Sequence, residues 1–200
     1  GATGSQGAQG SQGTAGNTDD YWTPASQNWS AWTFDPSFQA ASAVISKGQG
    51  HYIGFTSPTA FTLNSVSLFV TVASSAPANC YIGLYSQSGT QLAISADFSS
   101  TLSTNTGLIT VNLGTPYSVA ANTVYYIALL IGNSTTTSPT LATLSSASNT
   151  PANAGGTVSA GTLAGGNRVM TLGSSLSALP SPVSGTPAAV AARLFWFGLK

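Results

Sequence analysis

The chain is nearly devoid of charge. Charged residues make up 4% of its 200 residues, against roughly 25% in an ordinary soluble domain. There is no glutamate at all. The acids are Asp19, Asp20, Asp35 and Asp97, and the bases are Lys47, Arg168, Arg193 and Lys200. With zero net charge and no basic run, electrostatic binding to nucleic acid is disfavoured. No basic amphipathic segment points to a membrane surface. Long hydrophobic runs are missing too. The longest, such as 124–131, fall well short of the roughly 20 residues a spanning helix needs. A single cysteine, Cys80, rules out an intrachain disulfide and reads as a small buried apolar residue within a strand.

The polarity comes instead from Ser, Thr, Asn, Gln and Gly, a neutral surface chemistry typical of extracellular proteins. The chain opens at Gly1 with neither an initiator methionine nor a signal peptide, so it reads as the C-terminal piece of something longer. Its first segment is GAT GSQ GAQ GSQ GTA GNT, with glycine at Gly1, Gly4, Gly7, Gly10, Gly13 and Gly16 and none out of frame. A flexible linker has no reason to keep glycine in phase. A collagen-like triple helix does, because three chains meet at an axis where only hydrogen fits. Residues 1–18 therefore predict a stalk of three chains. It has no proline in X or Y and spans only about 50 Å, so a trimeric head or more stalk upstream must hold it in register.

Residues 19–42 read as an aromatic neck. They hold Trp22, Trp29 and Trp32, three of the four tryptophans, together with Tyr21, Phe34 and Phe38. These rings either seal the stalk–head junction or contact a ligand. Residues 43–200 read as the head. Short runs rich in β-branched and aromatic residues, at 44–47, 51–56, 61–72, 80–85, 92–95, 108–113, 124–131, 140–144, 168–172 and 192–199, alternate with turn clusters such as 86–90, 114–116 and 132–139. That spacing predicts an all-β fold, an antiparallel β-sandwich of jelly-roll type. Two runs, 123–131 and 193–199, are apolar on nearly every residue, so both of their faces must be covered. Leu194, Phe195, Trp196 and Phe197 are accordingly expected in the core or at a trimer interface. Residues 145–188 read as long loops around one strand.

Catalytic chemistry is scarcely provided for. His51 is the only histidine, at a strand start where a hydrogen-bonded structural role is the ordinary one. A glycosidase needs paired carboxylates, and nothing in the sequence brings Asp35 and Asp97 together. No nucleophile motif accompanies His51. No cluster has metal-ligand spacing, although Asp19 and Asp20 at the stalk end could hold a cation shared by three chains. We therefore expect no cofactor and no enzymatic activity. Binding is the better fit. Loops on a rigid scaffold are where recognition usually sits, and Tyr85, Gln87 and Asn133 are the candidate receptor contacts.

Together with the stalk, the stretches CYIGLYSQSGTQLAISAD at 80–97 and GLITVNLGTPYSVAANTVYYIALLIG at 107–132 resemble minor tail proteins and receptor-binding tail tips of bacteriophages, especially those of actinobacteria. The matching residues are Leu84, Tyr85, Gly89, Thr90, Leu92, Ala93, Ser95, Ala96, Asp97, Pro116, Tyr117, Val119, Ala121, Tyr125, Tyr126, Ala128 and Leu129. The resemblance covers under half of the chain and carries no catalytic residues. It implies a virion tail-fibre head, a homotrimer joined to other tail proteins through its stalk, that binds a host cell-surface glycan. Two alternatives stand beside it. One is a head that only trimerises and caps a collagen-like fibre, on a phage or a spore surface. The other is an envelope-degrading hydrolase, which requires Asp35, Asp97 or His51 to line a pocket with a second titratable group.

Overall fold

The computed structural model describes residues 23–39, 41–144, 168–183 and 194–200. The glycine stalk, Asp19, Asp20 and Trp22 lie outside the described residues, as does most of the Ser/Gly-rich stretch after residue 144.

Among the described residues, eleven strands run in chain order: β1 (Ala31–Trp32), β2 (Ala41–Val44), β3 (Gly50–Phe55), β4 (Phe61–Val72), β5 (Tyr81–Ser86), β6 (Gln91–Ile94), β7 (Gly107–Val119), β8 (Tyr125–Leu130), β9 (Thr140–Thr143), β10 (Val169–Leu172) and β11 (Phe197–Leu199). One short helix, α1 (Ser99–Thr104), links β6 to β7. The strands form two antiparallel sheets. The first has the order β1-β11-β4-β9-β2, with β7 on the other edge of β4, and the second has the order β10-β3-β8-β5-β6. The all-β expectation holds for the described residues.

The pattern of alternation explains the packing. In β4, Val66, Leu68 and Val70 point inward and are buried, while Phe69 between them is exposed. Their inner faces meet Ile53, Ile82, Leu84 and Ile127 of the second sheet in one core, which also takes in Phe195 and Phe197. The second sheet is apolar on its other face as well. There Tyr52, Tyr85, Tyr126, Ala128, Leu130 and Met170 are covered by the segment carrying Leu179 and Val183. This is why 124–131 reads as a continuous apolar run: both sides of β8 are roofed.

The sequence placed a turn at 114–116, and the structure has β7 running through it. Leu63 faces Tyr117 and Ser65 faces Asn112, so the intervening β7 residues bow out against the single residue Asn64. Such a bulge tolerates Pro116, which has no N–H to give to the ladder. The expected neck also contributes to the head. β1 pairs with β11, Ala31 with Leu199 and Trp32 with Gly198, and β2 pairs with β9. A β-carbon at Gly198 would lie 2.9 Å from Cη2 of Trp196 and 3.0 Å from Cδ2 and Cε3 of Trp29. Glycine there lets the two indoles pack edge to face, 5.8 Å apart, over the outer side of β11.

Candidate functional site

Three adjoining depressions lie where the two sheets open at the β1 and β10 edges and along the rim of the second sheet. The first, about 710 Å³, is lined by Trp32, Phe34, Asp35, Phe38, Thr56 and Arg168, among others. The second, about 410 Å³, shares Trp32, Thr56 and Arg168 and adds Gly54, Phe55, Gln87, Val124 and Tyr126. The third, about 650 Å³, shares Gln87 and Val124 and continues past Ser86, Ser88, Tyr117 and Thr123. Shared walls make them one groove. It crosses the start of β10, the end of β3, the start of β8 and the β5–β6 turn.

Each lining side chain has a local cause. Trp32 stands half-buried on the edge strand β1, held there by pairing with β11. Arg168 precedes β10 and donates from Nη2 to the carbonyl of Thr33, tying the second sheet's edge to the segment after β1. Its own carbonyl accepts from the N–H of Gly54 at 2.7 Å. Burial of the guanidinium pulls its pKa below the ordinary arginine value, yet an arginine stays cationic at physiological pH. Asp35 caps the short 3-10 turn Pro36–Phe38, accepting from the N–H of Ser37 at 2.8 Å and from its hydroxyl at 2.7 Å. Gln87 is exposed in the turn after β5. The groove thus offers aromatic faces, one cation, one carboxylate, an amide and several hydroxyls.

No protein-family model matches the chain, and no curated protein matches it significantly.

The sequence-nominated residues fall in different places. Of the three receptor candidates, Gln87 lines the groove. Asn133 is exposed but lies beyond the other end of β8, where its N–H donates to Leu176. At about 3.3 Å per residue, β8 puts it about 20 Å from Gln87. Tyr85 requires a correction. It is fully buried in β5, not displayed on a loop. Its hydroxyl donates to the carbonyl of Pro180 at 2.6 Å and accepts from Nε2 of Gln91 at 2.8 Å. Its ring meets Tyr52 edge to face at 5.3 Å. The segment 176–183 covers it, a long-range contact with no local signature in sequence.

Among the nominated neck and C-terminal residues, Leu194, Phe195 and Phe197 are buried in the core within one chain. Trp196 is buried too, with Trp29 packed on it from the outer side. Trp32 is the neck tryptophan that reaches the groove. Trp22 lies outside the described residues.

The titratable groups do not converge. His51 sits on the core face of β3, with Nε2 3.1 Å from the Ser46 carbonyl and its ring 5.6 Å from Phe195. Asp97 accepts from the N–H groups of Cys80 (3.1 Å) and Ser99 (2.9 Å) and from the Ser99 hydroxyl. It pins the approach to α1, far from Asp35 in the chain. Burial alone raises its pKa, but the hydrogen bonds from Ser99 and Cys80 outweigh burial and hold it below the ordinary aspartate value. Cys80 is buried, which pushes its thiol pKa up. Among the described residues no three His, Cys, Asp or Glu side chains come together to hold a metal. None of their helices is long and apolar enough to cross a membrane.

Sequence reasoning missed Arg168 and Thr56 as groove residues. The one available signal was the rarity of charge. Arg168 is one of only four basic residues, and a costly cation at a strand end invites a functional reading.

Proposed function

We propose that the chain is the head of a trimeric, collagen-stalked virion tail fibre, and that it binds a host cell-surface glycan in the Trp32–Arg168 groove without chemical turnover. The observation that carries this reading is the groove's composition. An aromatic face at Trp32 suits the C–H side of a pyranose ring. Arg168, Gln87, Thr56 and Asp35 supply directional hydrogen bonds around it. Three linked depressions suit several consecutive sugars better than a small compact ligand. A single shallow site of this kind binds weakly, and three copies on one stalk raise avidity without any new contact. The phased glycines and the tail-protein resemblance support the virion setting and the jelly-roll type of the head.

The test is glycan-array and host-cell-wall binding by the full chain, beside Trp32→Ala and Arg168→Gln. Wild-type binding that falls at least tenfold in both variants, about 1.4 kcal/mol each, supports the reading. Binding left intact in both refutes the groove as the site. The hydrolase alternative draws on Asp35, which lines the first depression. It needs a second carboxylate beside it, and among the described residues the groove lining holds none. Release of reducing ends or acetate from host envelope, abolished by Asp35→Asn, would favour it.

A further inference from the structure

The outer face of the first sheet is apolar where a solvent face should be polar. Five large hydrophobic residues are exposed among the described residues, and four of them stand on this sheet: Val44 at 65%, Phe69 at 41%, Val72 at 56% and Leu108 at 53%. The register groups them. Phe69 and Leu108 are direct cross-strand partners. Val72 and Val44 flank Thr140 from either side, in one row across β4, β9 and β2. Beside the Phe69–Leu108 row the outward-facing polar side chains are neutral. Ser67 and Thr110 bond to each other at 2.7 Å. β2, β4, β7 and β9 contain no charged residue. In so uncharged a chain that fact decides little by itself. The clustering of a phenylalanine, a leucine and two valines on one face decides more, since scattered apolar residues are normal and a grouped set marks a contact surface.

The occupant is indicated by two further observations. The phased glycines at the start of the chain are the pattern that a triple helix of three copies demands. The chain then enters the head over this same side of the first sheet. Gly198 alternates with the inward-facing Phe197 and Leu199, so its missing side chain points outward, and Trp29 packs on that spot. Trp29 is itself hydrogen-bonded back to Pro24, close to where the described chain begins. The described chain thus begins beside this face, at the β1 edge where Pro24 also lines the groove, and copies joined through their N-terminal segments lie nearer this face than the β5–β6 edge of the second sheet. The residues nominated from sequence for the interface do not compete for the role, because Leu194, Phe195, Trp196 and Phe197 are already buried within one chain.

We infer that the outer face of the first sheet, at Phe69, Leu108, Val72 and Val44, is where three copies of this chain pack about the stalk axis. The inference rests on the trimer reading given above. Trp32, opposite Gly198, stands at the β1 edge of this face, so the groove starts beside the interface and runs from it to Gln87 and Val124 on the second sheet's rim.

The experiment is sedimentation velocity on the full chain, on the double variant Phe69→Lys/Leu108→Lys, and on Thr104→Lys as a control at an exposed position of α1. The wild type and the control are expected at three times the 20.0 kDa of one chain. The double variant is expected at one times that mass with its near-ultraviolet circular dichroism retained. A folded double variant that stays trimeric overturns the face and leaves the trimer reading standing. A wild type that sediments as single chains overturns both. Native maleimide labelling keeps the question open to refutation if the double variant does not fold. Leu108→Cys in the otherwise wild-type chain is expected to react roughly tenfold slower than Thr104→Cys, with the buried Cys80 silent. Equal rates overturn the inference.

Discussion

Lowering the pH from 7 to 5 should destabilise this protein by about 2 kcal/mol, through one side chain. His51 is buried on the core face of β3. Nε2 faces the Ser46 carbonyl at 3.1 Å, while Nδ1 is buried without a hydrogen-bond partner. That arrangement suits the neutral ring with its proton on Nε2. A second proton on Nδ1 would place a charged donor against Phe195 and the apolar core. Burial accordingly lowers the pKa from 6.5 to about 4, against a smaller opposing effect of the Ser46 hydrogen bond. The folded state then binds its proton less readily than the unfolded chain. The contribution is fully present above pH 6.5, falls as pH drops through the window from 6.5 to 4, and is gone below it. The whole shift corresponds to about 3 kcal/mol. The assignment is unusually clean, because the chain has one histidine and no glutamate, and aspartates titrate mostly below pH 5. Urea unfolding at pH 7, 6 and 5, at fixed protomer concentration and ionic strength, measures the effect. His51→Gln, which keeps a donor for Ser46, should flatten the profile over that range. A wild-type profile already flat between pH 7 and 5, or a variant that keeps the full slope, would refute the reasoning.

Gly198→Ala should cost about 1–3 kcal/mol by overpacking, because its methyl group would sit within 3.0 Å of both Trp29 and Trp196. A thermal melt should show Tm lowered by several degrees, with quenching of tryptophan fluorescence altered, and an unchanged Tm would mean that the indoles do not clamp this position. Asp97→Asn should lower stability by about 1 kcal/mol, since it weakens the charge-assisted bonds that join Cys80 to Ser99 across the start of α1. The urea midpoint should fall with the m-value unchanged. In the wild type the Asp97 contribution holds above the ordinary aspartate pKa and fades as pH falls through its depressed folded value, so the variant and wild type should converge in strong acid.

The stretch 80–97, on which the proposed tail-protein resemblance partly rests, gains a physical explanation from the second sheet. The N–H of Ser95 donates to the Ile82 carbonyl at 2.8 Å, and the Ser95 hydroxyl accepts from the Ile82 N–H at 3.0 Å. Leu84 is fully buried and Ala93 nearly so, and Asp97 staples the exit from the hairpin. These residues build β5, its turn and β6. They describe a scaffold, which is why the motif could suggest a type of protein without naming a single ligand contact.

The sequence by itself determined the periodicities. Alternation in 61–72 and the spacing of turn clusters specify strands, because side chains on a strand point to opposite faces in turn. Phased glycine makes a three-chain stalk the expectation, because only hydrogen fits at a triple-helix axis. Scarcity of charge narrows the chemistry. What covers each face was decided only in three dimensions. Tyr85 and Phe69 are both aromatic residues within strands. One is roofed by the segment around Pro180 and the other stands exposed. The groove joins Trp32, Thr56, Gln87, Val124 and Arg168, which no local pattern connects. They meet because β1 pairs with β11 and β10 with β3, and those distant pairings follow from closing one core from both sheets.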